Sequence, residues 1–184
     1  MVGREVAEAR FARLYAEHSR QVMAYALRRT RREDAAEVVA ETFLVAWRKA
    51  AEMPADGEVL LWLYGVARLV LANMDRGERR RGRLDDRLRL ELPAAVVARA
   101  EPSAERPAVM CALARLEKDD REVLLLAGWE ELEPAQIAEV LAISAVAARS
   151  RLHRARRRLR KQLSEVEDVP DPNPTNRLEF EEAR

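Results

Sequence analysis

Cysteine is nearly absent: Cys111 is the single one in a chain of 184 residues. No internal disulfide can form, and no Cys or His stands near it at metal-ligand spacing, so neither a disulfide framework nor a metal site nor a cofactor is expected, and the composition fits a reducing, cytoplasmic setting. Cys111 itself is either a redox-sensing thiol or, as is more usual for one thiol near the start of a helix, a small core residue. Aromatic residues are only 5%, and two Ile and three Thr complete a poor supply of the residues that favour pleated sheet. Ala, Leu, Arg and Glu dominate instead, and an all-α fold is expected.

Long apolar runs are also missing. The segment Val59 to Met74 is interrupted by Arg68 and falls short of the ~18 to 20 residues that span a bilayer, so it is expected as a buried helix with no membrane insertion. The N-terminus, Met1-Val2-Gly3-Arg4-Glu5, carries none of the apolar core that a secretory signal needs. No enzyme and no catalytic residue are expected. His18 and His153 lack paired carboxylates or cysteines, and neither a Gly-rich phosphate loop nor a nucleophile motif occurs.

Neither sign of charge prevails, with 33 Lys+Arg against 32 Asp+Glu, but the charges are segregated. Eight Lys/Arg and no acid lie between Arg149 and Lys161, whereas Glu165 to Arg184 holds seven acids against two arginines. A second basic cluster consists of Arg76, Arg79, Arg80, Arg81 and Arg83. Two separated basic surfaces suit two contacts with a polyanion.

Helical periodicity runs from Phe11 to about Arg81, broken at Met53-Pro54-Ala55-Asp56-Gly57, and accommodates three or four helices. Gly82 to Pro107 contains Pro93, Pro102 and Pro107 and one short periodic piece from Leu84 to Leu92. Periodicity returns from Ala108 to Leu163, and Val169-Pro170-Asp171-Pro172-Asn173-Pro174 then punctuates a tail that can bury little. The expected organisation is a first domain over 1–81, a flexible linker over 82–107, a second domain over 108–164 and a disordered acidic tail over 165–184.

In the first domain Asp34 is a candidate N-cap, and Val39, Phe43, Ala46, Trp47 and Ala50 fall on one face, expected as core. Glu37, Glu41, Leu44 and Arg48 form another stripe, either a solvated face or a protein contact. The next helix packs through Leu60, Leu63, Ala67, Val70, Leu71 and Met74, leaving Arg68, Asn73 and Arg76 on another side. Trp62 and Tyr64 lie beside these polar groups. They are either core residues or rings on which unstacked bases lie.

The second domain carries the clearest local pattern. Leu132 to Leu141 is a helix entered through Pro134, whose missing N–H costs nothing in a first turn. Ala142-Ile143-Ser144 is a short turn with Ser144 as N-cap. Ala148, Leu152, Ala155, Leu159 and Leu163 then form an apolar stripe, while Arg149, Arg151, Arg154, Arg156, Arg157, Arg158 and Arg160 fill much of the remaining surface. Two helices joined by a tight turn, the second basic, make a helix-turn-helix whose second helix enters a major groove. A membrane surface or a plainly solvated helix is the alternative. Arg149, Ser150 and Arg151 occupy the first two turns, where side chains reach base edges, while Arg154, Arg156 and Arg157 suit phosphates.

Together these residues resemble the extracytoplasmic function sigma factors, the smallest members of the sigma-70 family of bacterial transcription initiation factors. Asp34-Ala35-Ala36-Glu37-Val38-Val39-Ala40-Glu41-Thr42-Phe43-Leu44-Val45-Ala46-Trp47 resembles the region 2 helix that binds core polymerase, and Trp62-Leu63-Tyr64-Gly65-Val66-Ala67-Arg68 the promoter-melting helix. Arg121-Glu122-Val123-Leu124-Leu125-Leu126, Ile137-Ala138-Glu139-Val140-Leu141 and Ser150-Arg151-Leu152-His153-Arg154-Ala155-Arg156 are similar to region 4. The resemblance implies that Glu37, Glu41, Leu44 and Arg48 dock on the beta-prime clamp of core RNA polymerase. It implies that Trp62, Tyr64, Arg68, Asn73, Arg76, Arg79 and Arg80, with the loop Glu52 to Glu58, capture unpaired minus-10 DNA. Arg149, Ser150, Arg151, His153, Arg154, Arg156 and Arg157 would read duplex minus-35 DNA while the same domain touches the beta flap. A protein of this kind is often held by an anti-sigma factor. The alternative function is a stand-alone helix-turn-helix regulator, which has no need of the clamp stripe. The sequence departs from the family pattern at Leu69, where Asn is usual, at Ala40, where Gln is common, at Ala142, where Gly is usual, and at Ala145-Val146-Ala147-Ala148, which lacks a Thr hydroxyl.

Overall fold

The computed structural model describes residues 2–54, 57–80 and 105–167, and every regular element among them is a helix. The acidic tail beyond residue 167 and most of the proposed linker, residues 81–104, lie outside the described residues.

The first half is three helices, α1 (Val2–Leu27), α2 (Arg32–Arg48) and α3 (Val59–Arg80), packed pairwise. Leu14, Val22 and Tyr25 of α1 meet Val38, Val39, Phe43 and Ala46 of α2 and Leu63, Ala67, Val70 and Leu71 of α3 in the core. Glu33 and Asp34 in the first turn of α2 and Arg48 in its last complement the helix dipole. Two expectations for α2 need correction. Its N-cap is Arg31, and Asp34 sits inside the first turn, where its carboxylate accepts a hydrogen bond from Arg31 Nε at 3.1 Å. Trp47 is 40% exposed, because the buried residues Ala35, Val38, Val39, Thr42, Phe43 and Ala46 centre the core face one position away from it. Its ring lies edge-on to Phe11 at 5.1 Å. Trp47→Ala is therefore expected to cost only ~1 to 2 kcal/mol in urea denaturation, the value of one rim aromatic contact plus partial burial.

The second half comprises α4 (Glu105–Arg115), α5 (Lys118–Gly128), α6 (Pro134–Leu141) and α7 (Ala145–Glu167). Arg121 of α5 closes the end of α4: its Nε donates to Leu113 O at 2.9 Å and one amino group to Ala114 O and Leu116 O at 2.7 and 2.9 Å. These are the carbonyls that a helix C-terminus leaves without intrahelical partners. Val123, Leu125, Leu126, Ile137, Val140, Ala148, Leu152 and Ala155 build the core. Cys111 is exposed rather than buried, since the inward face of α4 is set by Met110, Leu113 and the following Leu116.

The two halves share one continuous apolar cluster, with α6 laid against α3. Among the described residues no helix is long and apolar enough to cross a membrane.

Candidate nucleic-acid interface

The helix-turn-helix is built by local chemistry. Pro134 opens α6, and the Glu133 backbone N–H donates to the Gln136 side chain at 2.8 Å. The helix ends at Ala142, which adopts the left-handed conformation with φ 54° and ψ 47°. Its Cβ makes that conformation costly, whereas glycine adopts it freely. Ala142→Gly is accordingly expected to stabilise the chain by ~0.5 to 1 kcal/mol, seen as a higher denaturation midpoint with an unchanged slope. Ser144 then caps α7, its Oγ accepting from the Ala147 N–H at 3.1 Å.

Ala148, Leu152 and Ala155 bury one side of α7 and leave the other to solvent. Arg149, Ser150, His153 and Arg154 are exposed and line one surface depression. Arg156 and Arg157 are exposed further along. Two basic residues of this helix are tied back to α5: Arg151 lies 3.5 Å from Asp119, and Arg158 pairs with Asp120. Arg151 is half-buried, so the accessible set at the start of the helix is Arg149, Ser150, His153 and Arg154.

On α3 the candidates divide between two faces. Trp62 is half-buried at the core edge, and Leu69, Asn73 and Arg76 are exposed beyond it. Arg76 donates to Asn73 Oδ1. Arg79 and Arg80 close the helix, and their side chains lie outside the described residues. Tyr64, by contrast, is 4% exposed and stacked on Tyr25 with ring centroids 5.0 Å apart. Arg68 is half-buried and faces α6, donating to Val140 O at 3.2 Å and Leu141 O at 3.4 Å.

The α2 stripe is open along its length, with Glu37, Glu41, Leu44 and Arg48 all exposed. Beside it stands an aromatic group that the sequence pattern concealed. Tyr15 and Trp47 are 47% and 40% exposed, and both contact a ring of the cluster formed with Phe11 and Phe43.

A second feature invisible in the sequence joins the halves. The Arg28 side chain donates to Glu130 Oε1 at 2.8 Å, and Arg29 donates to Glu122 Oε2 at 2.8 Å and to Glu130 Oε1 at 3.1 Å. Tyr25 OH donates to Glu122 Oε1 at 3.0 Å, and the Arg29 guanidinium lies 3.6 Å from the Tyr25 ring centre. The Glu130 side chain is fully buried. Burial, reinforced by Glu122, pushes the Tyr25 hydroxyl well above the usual phenol range, so it remains the donor. Burial alone would weaken the charge on Arg29, but Glu122, Tyr25 and Glu130 outweigh it and hold the guanidinium charged.

The family model for sigma-70 region 2 matches residues 14–81, and that for sigma-70, region 4 matches residues 106–159. No curated protein matched the chain. Among solved structures, the fold is similar to the sigma factor RpoE in its complex with the anti-sigma factor NepR from Bartonella quintana, at 22% identity and a TM-score of 0.61, covering 84% of this chain and 96% of that one. It is also similar to CnrH in complex with the cytosolic domain of CnrY, at 24% identity and a TM-score of 0.59, covering 86% of this chain and 90% of that one.

Proposed function

The chain belongs to the sigma-70 family and carries its regions 2 and 4, and from that premise we propose that it is an alternative sigma factor of the extracytoplasmic function type whose surfaces divide the work of transcription initiation. Residues 1–81 dock on core RNA polymerase and hold unpaired minus-10 DNA. Residues 108–164 read the minus-35 duplex and touch the beta flap, and residues 82–107 thread between them toward the active-site channel.

The observation that carries the docking assignment is the exposure of Glu37, Glu41, Leu44 and Arg48 at helical spacing on α2. A helix face with one apolar residue among opposite charges offers both burial and charge pairing to a coiled-coil partner. On α3, Trp62 offers a ring for stacking and Arg76 a cation for the backbone. On α7, Arg149 and Ser150 stand where base edges are reached, and Arg154, Arg156 and Arg157 where phosphates pass. An anti-sigma partner is part of the proposal too, because the similar RpoE structure is a complex with the anti-sigma factor NepR.

Binding of fluorescently labelled chain to purified core RNA polymerase, followed by anisotropy, tests this function. A saturable, tight isotherm is expected. Duplex DNA binding without polymerase binding would replace the proposal with a stand-alone regulator. Within the holoenzyme, Arg149→Ala is expected to lose ~1 to 3 kcal/mol on the preferred minus-35 sequence and little on others. Arg156→Ala is expected to weaken all sequences alike and to lower the salt slope by about 1. Equal losses on all sequences for Arg149→Ala would make that residue a phosphate contact.

A further inference from the structure

The opening turn of α7 is the part of the helix-turn-helix that the assignments above leave without a task. Ala145, Val146, Ala147 and Ala148 carry no polar side-chain atom, and the Ser144 hydroxyl before them is engaged as the cap, accepting from the Ala147 N–H. Ala148 is buried, but Val146 stands away from the core and is 64% exposed, the most open of the large apolar side chains among the described residues. A β-branched residue costs helix propensity relative to Ala, and an exposed one gains no packing in exchange. Only a partner that covers Val146 gives its side chain a use.

Its neighbours indicate the chemistry of that partner. Arg149 and Ser150 follow Val146 at helical spacings of three and four, and His153 at seven, so Val146 heads the same exposed stripe. With Arg154, Arg156 and Arg157 exposed further along, the complementary surface is a polyanion. In a helix-turn-helix the first residues of the second helix approach the base edges. The major groove offers an apolar side chain one apolar feature, the thymine C5 methyl. Every other mark there is a hydrogen-bond donor or acceptor, which Val146 would strip of water without replacing its partner. Spacing also sets the place: side chains three apart on a helix lie ~5 to 6 Å from each other and successive bases ~3.4 Å, so the thymine lies one or two base pairs from the base read by Arg149.

We propose that Val146 is a specificity-determining residue of the duplex-reading surface, which selects a thymine in the minus-35 element by packing on its C5 methyl, one or two base pairs from the contact of Arg149. The inference rests on the assignment of α7 to duplex DNA made above. The arginines supply affinity and register, and Val146 adds discrimination at one position. Cytosine at that position is rejected, because it presents an amino donor and no methyl.

The test enriches a random duplex library on the full chain, once with core polymerase and once alone, and then replaces each thymine of the enriched site in turn by deoxyuridine. That change removes the C5 methyl and keeps every hydrogen-bonding group. Anisotropy titration is expected to find one thymine, within two base pairs of the position where Arg149→Ala relaxes selection, whose replacement weakens binding roughly three- to tenfold, the scale of one buried methyl group. In Val146→Ala the same replacement is expected to change affinity less than about 1.5-fold, because the contact it removes is already gone. Val146→Ile, which keeps the branched apolar surface, is expected to restore the sensitivity. Both substitutions fall at an exposed helical position, so the fold is retained. A site with no thymine sensitive to loss of its methyl, or a sensitivity that Val146→Ala leaves intact, overturns the proposal. A methyl-sensitive site bound by a chain that does not bind core polymerase supports the role of Val146 and overturns the sigma reading, whereas no enriched duplex in either format overturns both.

Discussion

Glu41→Arg combined with Leu44→Ala is expected to reduce affinity for core RNA polymerase at least a hundredfold while leaving the denaturation midpoint within the change typical of surface positions. Both side chains are exposed on α2, and neither contributes to the core. Surface substitutions of this kind usually change stability by no more than ~0.5 kcal/mol. Binding responds far more, because charge reversal at a complementary interface places like charges together and truncation of Leu44 removes the apolar centre of the patch. The aromatic rim of Tyr15 and Trp47 adjoins the stripe. A double variant that binds core polymerase as the parent does would remove the stripe from the docking surface.

Phe43→Ala is expected to destabilise the chain by ~3 to 5 kcal/mol, a large part of the ~5 to 15 kcal/mol that holds a domain folded. Phe43 is 3% exposed and sits at the meeting point of α1 and α2. Phe11 stands edge-on to it at 6.3 Å and Tyr15 at 4.8 Å, so truncation leaves a cavity and removes two aromatic contacts. Urea denaturation measures the loss directly. A loss below ~1 kcal/mol would contradict the placement of this face in the core. The contrast with Trp47→Ala, four residues on and half-exposed, tests the phase of the helix independently of any model of binding.

How far the sequence foretold this molecule depended on the range of each interaction. The stripe Ala148, Leu152 and Ala155, the Pro134 start of α6 and the Ser144 cap of α7 are local patterns, and all stand in the structure as the periodicity and capping rules anticipate. Ala142 was a visible departure from the family turn, and its positive φ gives that departure a physical cost. Errors arose one step from a local rule. Trp47 adjoins the core face without belonging to it, and Asp34 stabilises the first turn of α2 from inside rather than capping it. Spacing alone leaves Tyr64 open to either the core or base stacking. Its position turns on Tyr25 of another helix, with which it stacks, and no spacing within α3 reveals that.

The junction between the halves was illegible for a stronger reason. Arg28 and Glu130 are 102 positions apart, and no periodicity links them. The only trace is chemical: consecutive arginines follow the buried end of α1, and Glu122 interrupts the leucine-rich face of α5. Arg68 carried a clear signal as a polar residue within an apolar helix, but its partner, the end of α6, exists only once the chain has folded.

The central claim is that this chain gives core polymerase the ability to start at promoters with two separated elements. Mapping 5′ ends of transcripts made on genomic DNA by core polymerase, with and without the chain, tests it most directly. New start sites are expected that share one sequence block near minus 10 and another near minus 35, and Arg149→Ala should deplete them according to the upstream block. No start sites above those of core polymerase alone, from protein that still binds duplex DNA, would contradict it.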